Sequence, residues 1–95
     1  MKKIRTPEHI AFCKMVGANL RYMRTAKRLS QAEVGRAIGT RFQQIQKYEA
    51  GTNCVSSWRL KQLAAFFEVS TGDILDDNYI AISCHNRTES PQLQV

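Results

Sequence analysis

Ser30-Gln31-Ala32-Glu33-Val34-Gly35-Arg36-Ala37-Ile38-Gly39, followed at once by Thr40-Arg41-Phe42-Gln43-Gln44-Ile45-Gln46-Lys47-Tyr48-Glu49-Ala50-Gly51, is the stretch that decides the fold. Ser30 and Glu33 have the spacing of a capping box, in which the Ser hydroxyl takes the Glu amide proton and the carboxylate reaches back to the Ser amide. Gly39 ends that helix, because a glycine accepts the left-handed conformation a helix stop requires. Thr40 to Gln43 has the form of a second box and predicts a helix from about Arg41 to Ala50, stopped before Gly51. Val34, Ile38, Ile45 and Tyr48 are the inward set, and Gly35 stands where the two helices touch. A turn this short forces a steep crossing, the geometry of a helix-turn-helix.

Three more helices are expected around this hairpin. Thr6-Pro7-Glu8 opens the first, with a capping Thr and a proline whose missing N–H is harmless in the first turn. Phe12, Val16, Leu20 and Met23 then form its apolar stripe to about Lys27, and Gly17 is a weak point that marks a candidate break. Beyond the polar loop Thr52-Asn53-Cys54-Val55, Ser56 or Ser57 caps a fourth helix with Leu60, Leu63, Ala64 and Phe67 on one face. Ser70 to Asp73 caps a short fifth segment carrying Ile74 and Leu75. No alternating β-branched run reads as a strand, so the fold class is all-α. From Asp76 the periodicity thins and Ser83 to Val95 reads as a frayed end; Tyr79, Ile80 and Ile82 are apolar exceptions, suited equally to the core or to a second subunit. The organisation expected is a basic extension of the first helix over 1–15, a helical domain over 16–77 and a tail over 78–95.

Charge narrows the functional classes. The chain of 95 residues carries a net +6. Residues 1–30 hold eight Lys/Arg against one Glu, whereas residues 76–95 hold one against three. A basic front and a weakly acidic tail suggest a polyanionic partner, nucleic acid ahead of membrane. No apolar run nears the roughly 18 residues of a membrane span, and Met1 to Arg5 does not lead into a signal-peptide stretch. Cys13, Cys54 and Cys84 are odd in number with no close pair, so neither a disulfide framework nor a metal site is expected, and a cytoplasmic setting is the default. Nothing reads as an enzyme or a cofactor site: there is no phosphate loop, and adjacency alone gives Cys84-His85 no catalytic geometry. His9 reads as a first-turn surface residue.

Between about Val16 and Leu75 the chain resembles the Cro/repressor-type, lambda repressor-like helix-turn-helix family of phage and bacterial regulators. Leu29-Ser30-Gln31-x-Glu33, Glu49-x-Gly51 and the run Phe42 to Asn53 carry the likeness. It implies a five-helix domain, with helices 2 and 3 as the helix-turn-helix, that binds double-stranded DNA as a homodimer on a pseudo-palindrome. In that family the second hairpin helix lies in the major groove, which here presents Arg41, Phe42, Gln43, Gln46 and Lys47 to base edges. Gln43 suits the N6/N7 edge of adenine, Lys47 guanine O6/N7, and Phe42 a thymine methyl. Gln31, Gln44, Thr52 and Asn53 fall at phosphate-contacting positions. Arg24 and Glu49 match a structural ion pair. Two departures stand out: Cys54 replaces an often basic residue, and Ala50 a commonly polar one. The competing reading is an antitoxin-type or other protein-interaction module on the same fold, its protein partner unspecified.

Overall fold

The fold is seen in a computed structural model that describes residues 5–84. Five helices follow one another: α1 (Pro7–Ala26), α2 (Gln31–Ile38), α3 (Phe42–Ala50), α4 (Ser57–Phe67) and α5 (Thr71–Ile74). Residues 79–84 form a further helical turn, and there is no strand among the described residues.

The caps behave as short-range chemistry dictates. Thr6, Ser30, Ser56 and Ser70 each accept a backbone N–H at the start of their helix, satisfying amides that have no intrahelical partner. Ser30 and Glu33 close their box at 3.0 and 2.7 Å, and the hydrogen bonds from Ser30 hold the Glu33 carboxyl below the usual carboxylate range. Gly39 and Gly51 end α2 and α3 in the left-handed conformation, at φ of 79° and 77°. The second expected box does not form. Thr40 donates its amide to the Gly35 carbonyl at 2.8 Å and so belongs to the end of α2. Arg41 becomes the N-cap of α3, without a side-chain cap.

Packing follows the apolar faces. α1 contributes Val16, Leu20 and Met23, the hairpin Val34, Ile38, Ile45 and Tyr48, and the last two helices Leu63, Ala64, Phe67 and Ile74. Each large aliphatic among them stabilises the fold by about 1.5–3 kcal/mol relative to exposure. Phe12 is not in this core. Cys13 takes the inward position one residue on, while Phe12 remains exposed at the rim of a shallow hollow with Val55, Leu60 and Leu75. α1 also runs unbroken through Gly17.

Two polar clamps join helices that apolar packing alone would leave loosely placed. Asn19, only 2% exposed, donates from Nδ2 to the carbonyls of Ile74 and Asp76, both at 2.9 Å. Four residues of α5 are too few to form a stable helix alone, and Asn19 fastens its C-terminal end to α1. From α4, Arg59 and Gln62 both donate to the Ile38 carbonyl at the end of α2. Past α5, Tyr79 packs on the core and meets the Tyr22 ring edge to face at 6.1 Å, whereas Ile82 stays exposed. The apolar tail residues are thus divided between core and surface. His85 and the remainder of the expected frayed end lie outside the described residues.

Candidate nucleic-acid interface

Helical geometry sorts the residues of α3 into two faces, since successive residues turn by about 100°. Ile45 and Tyr48 are buried against the core, while Phe42, Gln43, Gln46 and Lys47 are exposed, with Arg41 exposed at the N-cap. Phe42 keeps 46% of its surface exposed, an uncomfortable position for an aromatic ring with only water to face.

The height of this face is set by glycine. A Cβ on Gly35 would come within 2.8 Å of the Thr40 carbonyl oxygen, so only glycine lets α2 approach the turn this closely. Gly17 does the same between α1 and α3: a Cβ there would collide with the Tyr48 carbonyl oxygen and sit 2.6 Å from that of Glu49. The residue that looked like a break in α1 is its contact point with α3.

An ion pair fixes the same junction. Arg24 grips Glu49 two-handed, Nε to Oε2 at 2.6 Å and Nη2 to Oε1 at 3.0 Å, and donates Nη1 to the Leu29 carbonyl at 2.8 Å. Both side chains are largely removed from water, with 13% and 6% exposed. The carboxylate hydrogen bond and its negative charge raise the Arg24 pKa further. Gln31 also serves this junction, donating Nε2 to Glu49 Oε1 at 3.0 Å. Its amide still has a second N–H and a carbonyl to offer.

Two open grooves flank the exposed face of α3. One, between α3 and the start of α2, is lined by Arg21, Arg24, Gln31 and Gln46. The other, beyond α3, brings together Gln44, Thr52 and Asn53 with Arg5 and Cys54. The four expected phosphate-contacting residues therefore fall in these two grooves, each of which also holds arginine. In the loop, the Thr52 and Asn53 amides are both spent on the Lys47 carbonyl, at 3.0 and 3.3 Å, which leaves their side chains to meet a ligand. Arg5 donates to the Thr52 and Gly51 carbonyls at 3.0 and 3.3 Å. Reading the sequence singled out neither Arg5 nor Arg21; the basic front of the chain was the only signal for them.

The cysteine expectation is overturned. Cys13 and Cys54, 41 residues apart, are paired as a disulfide with their Cα atoms 5.2 Å apart, and His9 Nε2 lies 3.3 Å from Cys54 Sγ. The cause is Gly51, where a Cβ would lie 2.8 Å from the Lys14 Cα. By letting the loop touch the backbone of α1, it carries Cys54 onto its partner. Spacing in sequence holds no trace of a contact made by two elements crossing.

The helix-turn-helix family pattern matches residues 20–74, and the chain belongs to that family. It is of the XRE type, a class of DNA-binding regulators of transcription. Among its relatives, the uncharacterized HTH-type transcriptional regulator y4wC of Sinorhizobium fredii is 36% identical over 80 residues, covering 84% of this chain and 56% of that protein. A second from the same organism, y4aM, is 44% identical over 62 residues, 65% of this chain and 43% of that protein. The chain thus spans about half the length of these curated relatives. Of solved structures, the restriction-modification controller protein C.AhdI from Aeromonas hydrophila is similar at a TM-score of 0.66 and 28% identity, over 70% of this chain and 97% of that one. No described helix is long and apolar enough to cross a membrane.

Proposed function

We propose that the chain is a sequence-specific regulator that binds a pseudo-palindromic operator as a homodimer, with α3 in the major groove. The observation that carries this reading is the exposed face of α3, set between two arginine-bearing grooves. Gln43, Gln46, Lys47, Arg41 and Phe42 are the base-reading set, offering bidentate, cationic and apolar contacts to base edges. Gln31 and Gln44, with Thr52 and Asn53, hold the phosphates and fix the register. Arg24 and Glu49 keep α1 and α3 in place beneath. A dimer supplies the footprint that one small domain lacks, with its two α3 helices about 34 Å apart, one turn of DNA. That it acts on transcription accords with its likeness to HTH-type transcriptional regulators of Sinorhizobium fredii, and the setting that goes with this reading is cytoplasmic, in a bacterium or encoded by a phage.

Selection of bound sequences from a random pool of duplexes tests this directly. Two inverted half-sites with centres one helical turn apart are expected. Gln43→Ala should relax preference at one position of each half-site, by about 1–3 kcal/mol, while Gln31→Ala should weaken all sequences alike. A pool that yields no motif, or one indifferent to Gln43→Ala, would refute the assignment of α3. Exposed Phe42 and Trp58 are what a protein-interaction module would use instead, and that reading gains only if no motif emerges.

A further inference from the structure

At the edge of the loop-side groove lies a cluster that DNA binding leaves unused. One ligand atom each from His9, Cys13 and Cys54 lies within 4.8 Å of the other two. We propose that these three residues form a binding site for a thiophilic metal cation with a filled d shell, Zn²⁺ foremost, which staples the 51–56 loop to the first turns of α1.

Ligand chemistry selects the ion. One imidazole and two thiols make a nitrogen–sulfur set, suited to Zn²⁺ and its congeners, while the absence of a carboxylate from the cluster turns away Mg²⁺ and Ca²⁺. His9 and Cys13 stand four residues apart on α1, so their side chains rise from the same face on successive turns. Cys54 closes the set from the loop. Three protein ligands leave the fourth tetrahedral position to water or an external ligand. Cys13 is 2% exposed and anchors the site in the core, whereas His9 and Cys54 are exposed and give the ion a way in.

In the structure the same two cysteines are paired as a disulfide, at a Cα separation of 5.2 Å that is ordinary for one. The two uses belong to different redox states: reduction of the disulfide by an external thiol or phosphine frees both sulfurs, and the His9 ring nitrogen 3.3 Å from Cys54 Sγ then completes a ligand set for a metal ion. On binding to the reduced chain, M²⁺ displaces both thiol protons and takes one lone pair from the His9 ring, releasing two H⁺.

The test is a cobalt titration of the full chain, kept reduced by a phosphine and free of oxygen and DNA. One equivalent of Co²⁺ should give a near-ultraviolet thiolate-to-cobalt charge-transfer band with the visible bands of a tetrahedral site, and one equivalent of Zn²⁺ should abolish both. Exposed His9 and Cys54 allow substitution without disturbing the core. Cys54→Ser should remove the charge-transfer band or most of it, and His9→Ala should weaken binding by at least about tenfold, since even an outer partner of a ligand costs 10–100-fold. Cys84→Ser should change nothing. The proposal is overturned by a reduced chain that develops no charge-transfer band, by a band that follows Cys84, or by an affinity indifferent to His9→Ala. Because DNA is absent from the titration, this site and the operator reading stand or fall separately.

Discussion

Glu49 carries three jobs on one carboxylate. It accepts two hydrogen bonds from Arg24 and one from Gln31, and it does so from the last turn of α3. Removing it strands a largely buried guanidinium, and breaking a buried pair from one side costs about 3–5 kcal/mol. Glu49→Ala should therefore lower the denaturant midpoint by an amount in that range, read from urea unfolding. Arg24→Met combined with Glu49→Leu should recover much of the loss, because apolar side chains of similar size leave no charge unpaired. A double variant no more stable than the single one would show that the loss lies in packing rather than in the stranded charge. The pair was legible only through family resemblance. Positions 24 and 49 share no helix, and nothing in the local charge pattern joins them. Gln31 was read as a phosphate ligand on the same ground, and its bond to Glu49 adds a use that a position in a motif does not disclose.

Between elements, closeness of approach decides more than propensity does. Gly17→Ala ought to help an isolated α1, since alanine is favoured over glycine by roughly 1 kcal/mol in a helix interior. In the folded chain the added methyl meets only backbone, the carbonyls of Tyr48 and Glu49, and backbone cannot rotate away. Overpacking of this kind costs about 1–3 kcal/mol, so the net effect should be a lower melting temperature. Gly72→Ala is the matched control: its Cβ would meet only Ser70 Oγ at 3.5 Å, an ordinary contact, and it should leave the melting temperature unchanged or raise it. Equal behaviour of the two variants would discard the close-approach account. Gly17 also shows where reading a sequence stops. Caps and glycine stops at Ser30, Glu33, Gly39 and Gly51 are local chemistry, and they were readable from spacing. The contact at Gly17 involves the backbone of a helix thirty residues on, and a residue without a side chain announces no partner. Cys13 with Cys54 is the same lesson, as is Asn19, whose two carbonyl acceptors lie 55 and 57 residues on. Thr40 shows the converse error, a local signal that the neighbouring helix end claims first.

Taken whole, the molecule concentrates its positive charge at the front of the chain, and part of that charge lies beside α3. Arg21, Arg24 and Arg5 line the grooves to either side of it. Charge placed in this way acts through phosphates, and each phosphate neutralised by a cation adds about −0.9 to the slope of log K against log salt. Arg21 is exposed and lies in the groove with Gln31, so Arg21→Ala should weaken binding to every duplex alike and make the slope shallower. The size of the change reports the assembly. A monomer on its site loses one such contact, and the slope should shift by about 0.9; a two-fold dimer loses the contact twice, and it should shift by about 1.8. We expect the larger value, measured by fluorescence anisotropy on a selected duplex over a range of salt concentrations. A shift near the smaller value would mean that a single copy reads the operator, and an unchanged slope would remove Arg21 from the phosphate-facing surface while leaving α3 to be judged by its own motif.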